Sequence, residues 1–349
     1  MKNHVIIIGA GATGCLSAIS LAERGWRVTL IDQGEVGMES SWAGGGILFP
    51  LLPWKYSEPV NHLALAGAAR YPALAAQLLA STGIDPQYRQ CGMRILPPFD
   101  QKLALAWCHA HGLTAVLQDD VLWLPQVAQA RNPRLMQALR AQLKVSGVSL
   151  LESTQLAPLS SATGRLGGWR DTAGKSYEAD QYVLTAGAWS QNLLGPHALS
   201  LQMKPMRGQM LLYQLAPETL PHILYHEDFY LIPRQDGHIL AGSTVEDVGF
   251  DKSTPAATAD ALAAKARALL PQLAEAPILK HWSGLRPGSP DNVPVIAKHP
   301  AFDNLYLNTG HFRYGVTMAP ASAEILTSLI GGETPPLDVM PYAFPASGT

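Results

Sequence analysis

Cysteine is scarce: Cys15, Cys91 and Cys108 are all that 349 residues provide, too few and too scattered for a disulfide framework or a zinc site. A reducing, cytoplasmic setting suits them. Charge is scarce too. Lys and Arg number 25 against 27 Asp and Glu, a net charge of −2. No sequence-wide positive field exists to hold phosphate backbones, so nucleic acid is not an expected partner. No stretch reaches the ~18 uninterrupted apolar residues of a membrane-spanning helix. The nearest, His62 to Ala80, is broken by Arg70 and Pro72. Lys2 and the apolar run behind it loosely mimic a signal peptide ending at Cys15. That run passes without a break into a charged helix and a second strand, as in a folded domain. Apolar residues, by contrast, are plentiful: 47% hydrophobic content excludes a disordered or coiled-coil chain. The length suits about two domains.

His4 to Ile8 is an apolar, β-branched run, the pattern of a buried parallel strand. Glycines follow, then apolar residues at helical spacing from Cys15 to Arg24, then a second strand from Arg27 to Ile31 ending at Asp32. This βαβ unit sets the class as α/β. Further helices are expected from Asn61 to Ser81, Lys102 to His111, Pro133 to Val145, Ala256 to Ala274 and Ala319 to Ile330. Strands are expected from Met93 to Pro98, Val148 to Leu151, Leu166 to Trp169, Tyr182 to Thr185 and Met210 to Gln214. Three more run from Phe229 to Pro233, His238 to Gly242 and Leu305 to Asn308. The last ten residues, rich in Pro, read as a loose tail.

The strongest local signal is GAGATG between the first strand and the first helix. Gly9 permits the tight turn, Gly11 lets a pyrophosphate approach the backbone, and Gly14 lets helix and strand pack closely. The helix N-terminus offers N–H groups to the phosphates. Asp32, at the end of the second strand, is placed to accept hydrogen bonds from ribose hydroxyls. From Asp32 to Pro53 the chain is rich in Gly and Ser, including Ser40, Ser41 and the glycines to Gly46. Such a stretch is either a surface loop or bare backbone for an extended ligand such as FAD. GHFRYG, from Gly310 to Gly315, is a second backbone-rich turn before a helix: a plain connection, or a helix end that stabilises negative charge on a reduced flavin.

Arg286 stands between two glycines in the nearly charge-free segment GLRPGSPDNVPVI. A buried guanidinium needs an anion, either a substrate carboxylate or an internal Asp or Glu. Tyr230, in YLIPR, is either a sheet aromatic or a hydroxyl for the same carboxylate. No nucleophile-elbow, zinc-protease or P-loop pattern occurs. His222 and His226, beside Glu227 and Asp228, have metal-ligand spacing, but Pro221 and a following strand make a shared helical face doubtful; no metal is expected. His109 and His111 fall on opposite sides of a helix end and are expected to be exposed.

GAGATG with Asp32, SSWAGGGIL, AGAWS, RGQM, YLIPR, GLRPGSPDNVPVI and GHFRYGVTMAP occur in the order found in D-amino-acid-oxidase-like flavoproteins. The chain resembles that family over nearly its whole length, and within it the bacterial glycine-oxidase type. The resemblance implies a Rossmann-type FAD-binding domain from residues 1–84, 140–200 and 282–340. A substrate domain on a large antiparallel or mixed sheet would take 85–139 and 201–281, with 341–349 a tail. FAD is implied to be non-covalent, since related sarcosine oxidases attach flavin through a late cysteine and none follows Cys108.

Carried over by position, the implied cofactor contacts are Gly9, Gly11, Ala12, Thr13, Gly14, Asp32, Gln33, Ser40, Ser41, Gly45, Gly46, Ile47, Leu156 and Gly187. The set continues through the late loop: His311, Phe312, Arg313, Tyr314, Gly315, Val316 and Thr317. Arg286 would clamp the substrate carboxylate, with Tyr230 and Arg313 assisting. Trp42, Asp228, Tyr314 and Thr317 depart from the glycine-oxidase pattern. The implied activity is oxidative deamination of glycine or another small amine, with O2 reduced to H2O2, serving thiamine biosynthesis. The alternatives are a D-amino-acid or sarcosine-type dehydrogenase feeding a quinone, and a flavin-binding module without catalysis. The expected partners are a small amino acid and O2, with self-association left open.

Overall fold

The computed structural model describes residues 3–160 and 162–344. Its helices are α1 (Ala12–Glu23), α2 (Ser40–Ala43), α3 (Glu58–Thr82), α4 (Gln101–Ala110), α5 (Asn132–Val145), α6 (Ser190–Leu194), α7 (Ala256–Leu269) and α8 (Gly315–Gly331). Two large sheets carry the architecture. The first has six strands, in the order Val295–Lys298, Leu305–Thr309, Gln181–Leu184, His4–Ile8, Arg27–Ile31, Ser149–Leu151. All neighbours are parallel except the first pair. Its central strand is buried along four of five residues, which is why HVIII does not alternate. Helices α1, α3, α5 and α8 supply apolar side chains to one core cluster with this sheet.

The second sheet has eight strands, in the order Lys280–Gly288, Lys204–Gln214, His238–Gly242, Phe229–Pro233, Ile223–His226, Met93–Leu96, Val121–Leu124, Val116–Gln118. Only Ile223–His226 and Met93–Leu96 run parallel; the other neighbours are antiparallel. The α/β class and the large mixed sheet therefore stand as expected. Two of the expected domain boundaries fall within elements. Residue 282 falls inside strand Lys280–Gly288, which belongs to the second sheet. Residue 140 falls inside α5, whose apolar side packs into the core shared with α1.

Several element edges also differ. Leu166 to Trp169 is not a strand: Leu166 N–H is held by Asn304 Oδ1, and the pairing begins at Trp169. The expected helix to Ala274 breaks at Leu270, the residue before Pro271, and a 3-10 turn follows. Pro320 does not start the last helix but sits inside it. Proline removes the bond to the carbonyl four residues back. That carbonyl, on Val316, instead accepts the Tyr71 hydroxyl at 2.5 Å. The expected tail is packed at its start: Tyr342 is buried and its hydroxyl donates to Pro59 O at 2.8 Å, while 345–349 lie outside the described residues.

By length and composition alone α3 could cross a membrane. Here Arg70, in its middle, pairs with Glu324 of α8, and Gly67 is pressed so closely to the Thr317 backbone that a Cβ would collide.

Candidate active site

One long cavity runs between the sheets, and its lining includes every expected site residue except Gly14. At one end lies the GAGATG turn. Gly9 has φ +107°, and a Cβ there would stand 2.6 Å from Thr185 O. A Cβ on Gly14 would overlap Gly9 O, so Gly14 sets the helix–strand packing behind the cavity rather than its wall. The N-terminus of α1 has a bare glycine cap and no acid in its first turn, the arrangement that receives a phosphate. Ser41 Oγ accepts Ala12 N–H at 2.9 Å, tying the Ser/Gly segment to this turn.

Asp32 closes the strand beside it. Its carboxylate accepts Ala10 N–H at 2.6 Å and Gly34 N–H at 2.8 Å. Burial raises its pKa, and those two N–H bonds oppose the rise. Further along, Gly45 and Gly46 present bare backbone: a Cβ at Gly46, where φ is +77°, would stand 2.0 Å from Ala130 O, and one at Gly45 would push against Ile232 Cδ1 at 2.5 Å. The segment is pinned from below by Arg234, which donates to Gly45 O at 2.8 Å, to Ala130 O at 3.2 Å and to Gln129 Oε1. Burial pulls Arg234 down to about 9. Sequence reading missed this arginine because it serves backbone carbonyls, for which no residue pattern exists.

The other end is different in kind. Arg286 projects from strand Lys280–Gly288, donating from Nη1 to Thr244 O at 3.0 Å and from Nη2 to Ser243 Oγ at 2.8 Å. Burial lowers its pKa, as does like charge from the nearby Arg313, while the neighbouring Tyr230 hydroxyl opposes the fall. Among the described residues neither Arg286 nor Arg313 forms an ion pair; the nearby Glu246 acts on Arg286 only through space and is committed to Arg207. Two guanidiniums thus line a cavity end without a carboxylate, which favours a bound anion. Gly208, on the adjacent strand, lies under the Arg286 guanidinium; a Cβ there would overlap it.

Behind Arg286 lies a network absent from the sequence reading. Arg207 donates to Glu246 Oε2 at 2.6 Å and to Asp251 Oδ2 at 2.5 Å. Gln209 Nε2 and the Thr244 hydroxyl donate to Glu246 Oε1, at 2.8 and 2.5 Å. These bonds fix the 243–246 segment whose carbonyl and hydroxyl hold Arg286. We expect Glu246→Gln to raise the KM for a carboxylate substrate by about five- to tenfold with little change in kcat, as steady-state kinetics would show.

The GHFRYG loop completes the wall and leads straight into α8. Burial drops the His311 ring to about 3, and its Nε2 is buried without a hydrogen-bond partner among the described residues. The unfolded chain, with an ordinary imidazole near 6.5, takes up a proton that the folded chain refuses. Stability therefore falls as pH falls from that value toward about 3, by up to ~1.4 kcal/mol per pH unit from this group. Urea midpoints measured across this acid range should drop less steeply for His311→Gln than for wild type.

The four departures divide. Tyr314 and Thr317 line the cavity: the Tyr314 hydroxyl accepts Leu51 N–H at 3.0 Å, and Thr317 donates to Ile47 O at 3.0 Å. Trp42 and Asp228 do not line it. Trp42 packs edge-on against Trp282 under Lys280, and Asp228 is exposed in a hairpin turn. His222 and His226 lie near opposite ends of a short strand stretch, roughly 13 Å of rise apart, too far to share an ion. His111 is not exposed as expected: it stacks on Trp107 with ring centroids 4.0 Å apart.

The "FAD dependent oxidoreductase" (DAO) family model matches residues 4–329. A glycine oxidase of Pseudomonas aeruginosa is 43% identical, over 98% of this chain and 99% of that protein. A bifunctional ThiO/ThiG protein of Trichormus variabilis is 31% identical over 95% of this chain, which spans 53% of its length. The crystal structure of glycine oxidase from Geobacillus kaustophilus superposes with a TM-score of 0.90 at 25% identity, covering 99% of both chains. The glycine turn, the Asp32 carboxylate at the end of the second strand and the bare glycine backbone fit the cofactor that this family name carries. The chain belongs to the DAO family of FAD-dependent oxidoreductases.

Proposed function

We propose that this enzyme oxidises a small amino acid, glycine foremost, to its imino acid, which water hydrolyses to the 2-oxo acid and ammonia. The observation that carries the reading is the pair of arginines without carboxylate partners, Arg286 and Arg313, at the end of the cavity away from the dinucleotide turn. Similarity to glycine oxidases names the substrate class.

FAD would be held by the GAGATG turn, Asp32, the 40–47 segment and the 311–317 loop; when bound, it supplies the acceptor for two electrons and passes them to O2. No cysteine lines the cavity, which supports non-covalent attachment. Arg286, aligned by Ser243 and Thr244, takes the substrate carboxylate, with Tyr230 as a second donor. The two cationic heads disfavour an ammonium nearby, so the amine binds neutral, as loss of hydride from Cα requires. Positioning supplies most of the rate, and no side-chain base is invoked. The ThiO part of the bifunctional relative supports a role in thiamine biosynthesis, and three cysteines without disulfides support a cytoplasmic setting.

An aerobic assay tests the reading: with glycine, H2O2 and ammonia should form in a one-to-one ratio. Turnover only with an artificial electron acceptor would instead assign a dehydrogenase.

A further inference from the structure

We propose that Glu58, His62 and His111 form a binding site for a divalent transition-metal cation of zinc type, separate from the cofactor cavity. Their ligand atoms converge: Glu58 Oε2 is 3.3 Å from His62 Nε2 and 3.2 Å from His111 Nε2, and all three lie within 4.8 Å of one another. In a tetrahedral site with bonds of about 2.0–2.1 Å, neighbouring ligand atoms stand roughly 3.3 Å apart. Two imidazoles and a carboxylate are a zinc-competent set that leaves one position for water.

Surface Glu–His pairs at helical spacing are ordinary, and Glu58 with His62 alone would be one. His111 makes the difference. Its Nδ1 is 2.9 Å from Trp107 O, an acceptor, so that nitrogen carries the hydrogen. Nε2 then faces the Glu58 carboxylate at 3.2 Å, where a proton or a cation stands between them, and an imidazole N–H held by a backbone carbonyl is the usual outer-shell support of a metal ligand. The stack on Trp107 fixes the ring, whose side chain is only 16% exposed.

A cation here would clip the start of α3 to the residue that ends α4. The chain just before α3 reaches the cavity wall, because Leu51 bonds the Tyr314 hydroxyl and Tyr56 packs edge-on against the Tyr314 ring. The test is calorimetric titration of the FAD-loaded protein with zinc chloride, read beside its melting temperature. One saturable site per chain and a raised melting temperature are expected. His62→Ala and His111→Ala should each weaken binding roughly tenfold or more, and His109→Ala, an exposed neighbour, should leave it unchanged. Absence of saturable heat, or unaltered binding in the His62→Ala/His111→Ala double variant, would overturn the proposal.

Discussion

Arg286→Ala should raise the KM for glycine by roughly two to three orders of magnitude while the protein still purifies with its FAD. The reasoning is local. Arg286 is held by a carbonyl and a hydroxyl, both neutral, so its charge is left for the ligand. Removing it strands the substrate carboxylate among Tyr230, Ser243 and buried backbone, with only Arg313 as a remaining cation. Nothing at the GAGATG turn or Asp32 depends on it. Cofactor absorbance per polypeptide and steady-state kinetics on one preparation check both halves of the expectation. Unchanged kinetics would remove Arg286 from the site.

Gly208→Ala should reach a similar result by another route. The added methyl would overlap the guanidinium of Arg286, whose terminal nitrogens lie directly over this glycine. The backbone of strand Lys204–Gln214 cannot retreat, because it is hydrogen-bonded on both sides. The side chain must therefore leave its seat, and a displacement of about 1 Å costs on the order of a hundredfold in kcat/KM. A double-mutant cycle separates this from general damage. In an Arg286→Ala background the Gly208→Ala change should have little further effect, since the two act on one interaction. Full additivity would mean that Gly208 matters for some other reason.

What could be read beforehand follows a physical line. The first turn was legible because two of its glycines answer demands that no other residue meets: positive φ at Gly9, overlap with Gly9 O at Gly14. Arg286 was legible because a charge in an apolar segment requires an explanation. Gly208 was not, since glycine within a strand pattern signals only weakness until the neighbouring strand shows what crosses above it. The Glu246 network was equally hidden, because it joins residues of one strand to the connection that leaves its neighbour in the sheet. The true start of α8 was masked by Pro320, which reads as a first-turn residue unless Tyr71 is known to take the freed carbonyl. His111 was misjudged as exposed because helical spacing says nothing of a ring folded back onto Trp107.

The proposed reading rests on a guanidinium that seats the carboxylate of a small amino acid where its Cα can be oxidised. Mixing the purified yellow protein with glycine in the absence of air tests that in one step. The flavin absorbance should bleach, at a rate that saturates with glycine concentration, and Arg286→Ala should shift the half-saturation point upward without loss of the starting colour. Failure of glycine, sarcosine and D-amino acids alike to bleach a fully FAD-loaded sample would contradict the assignment.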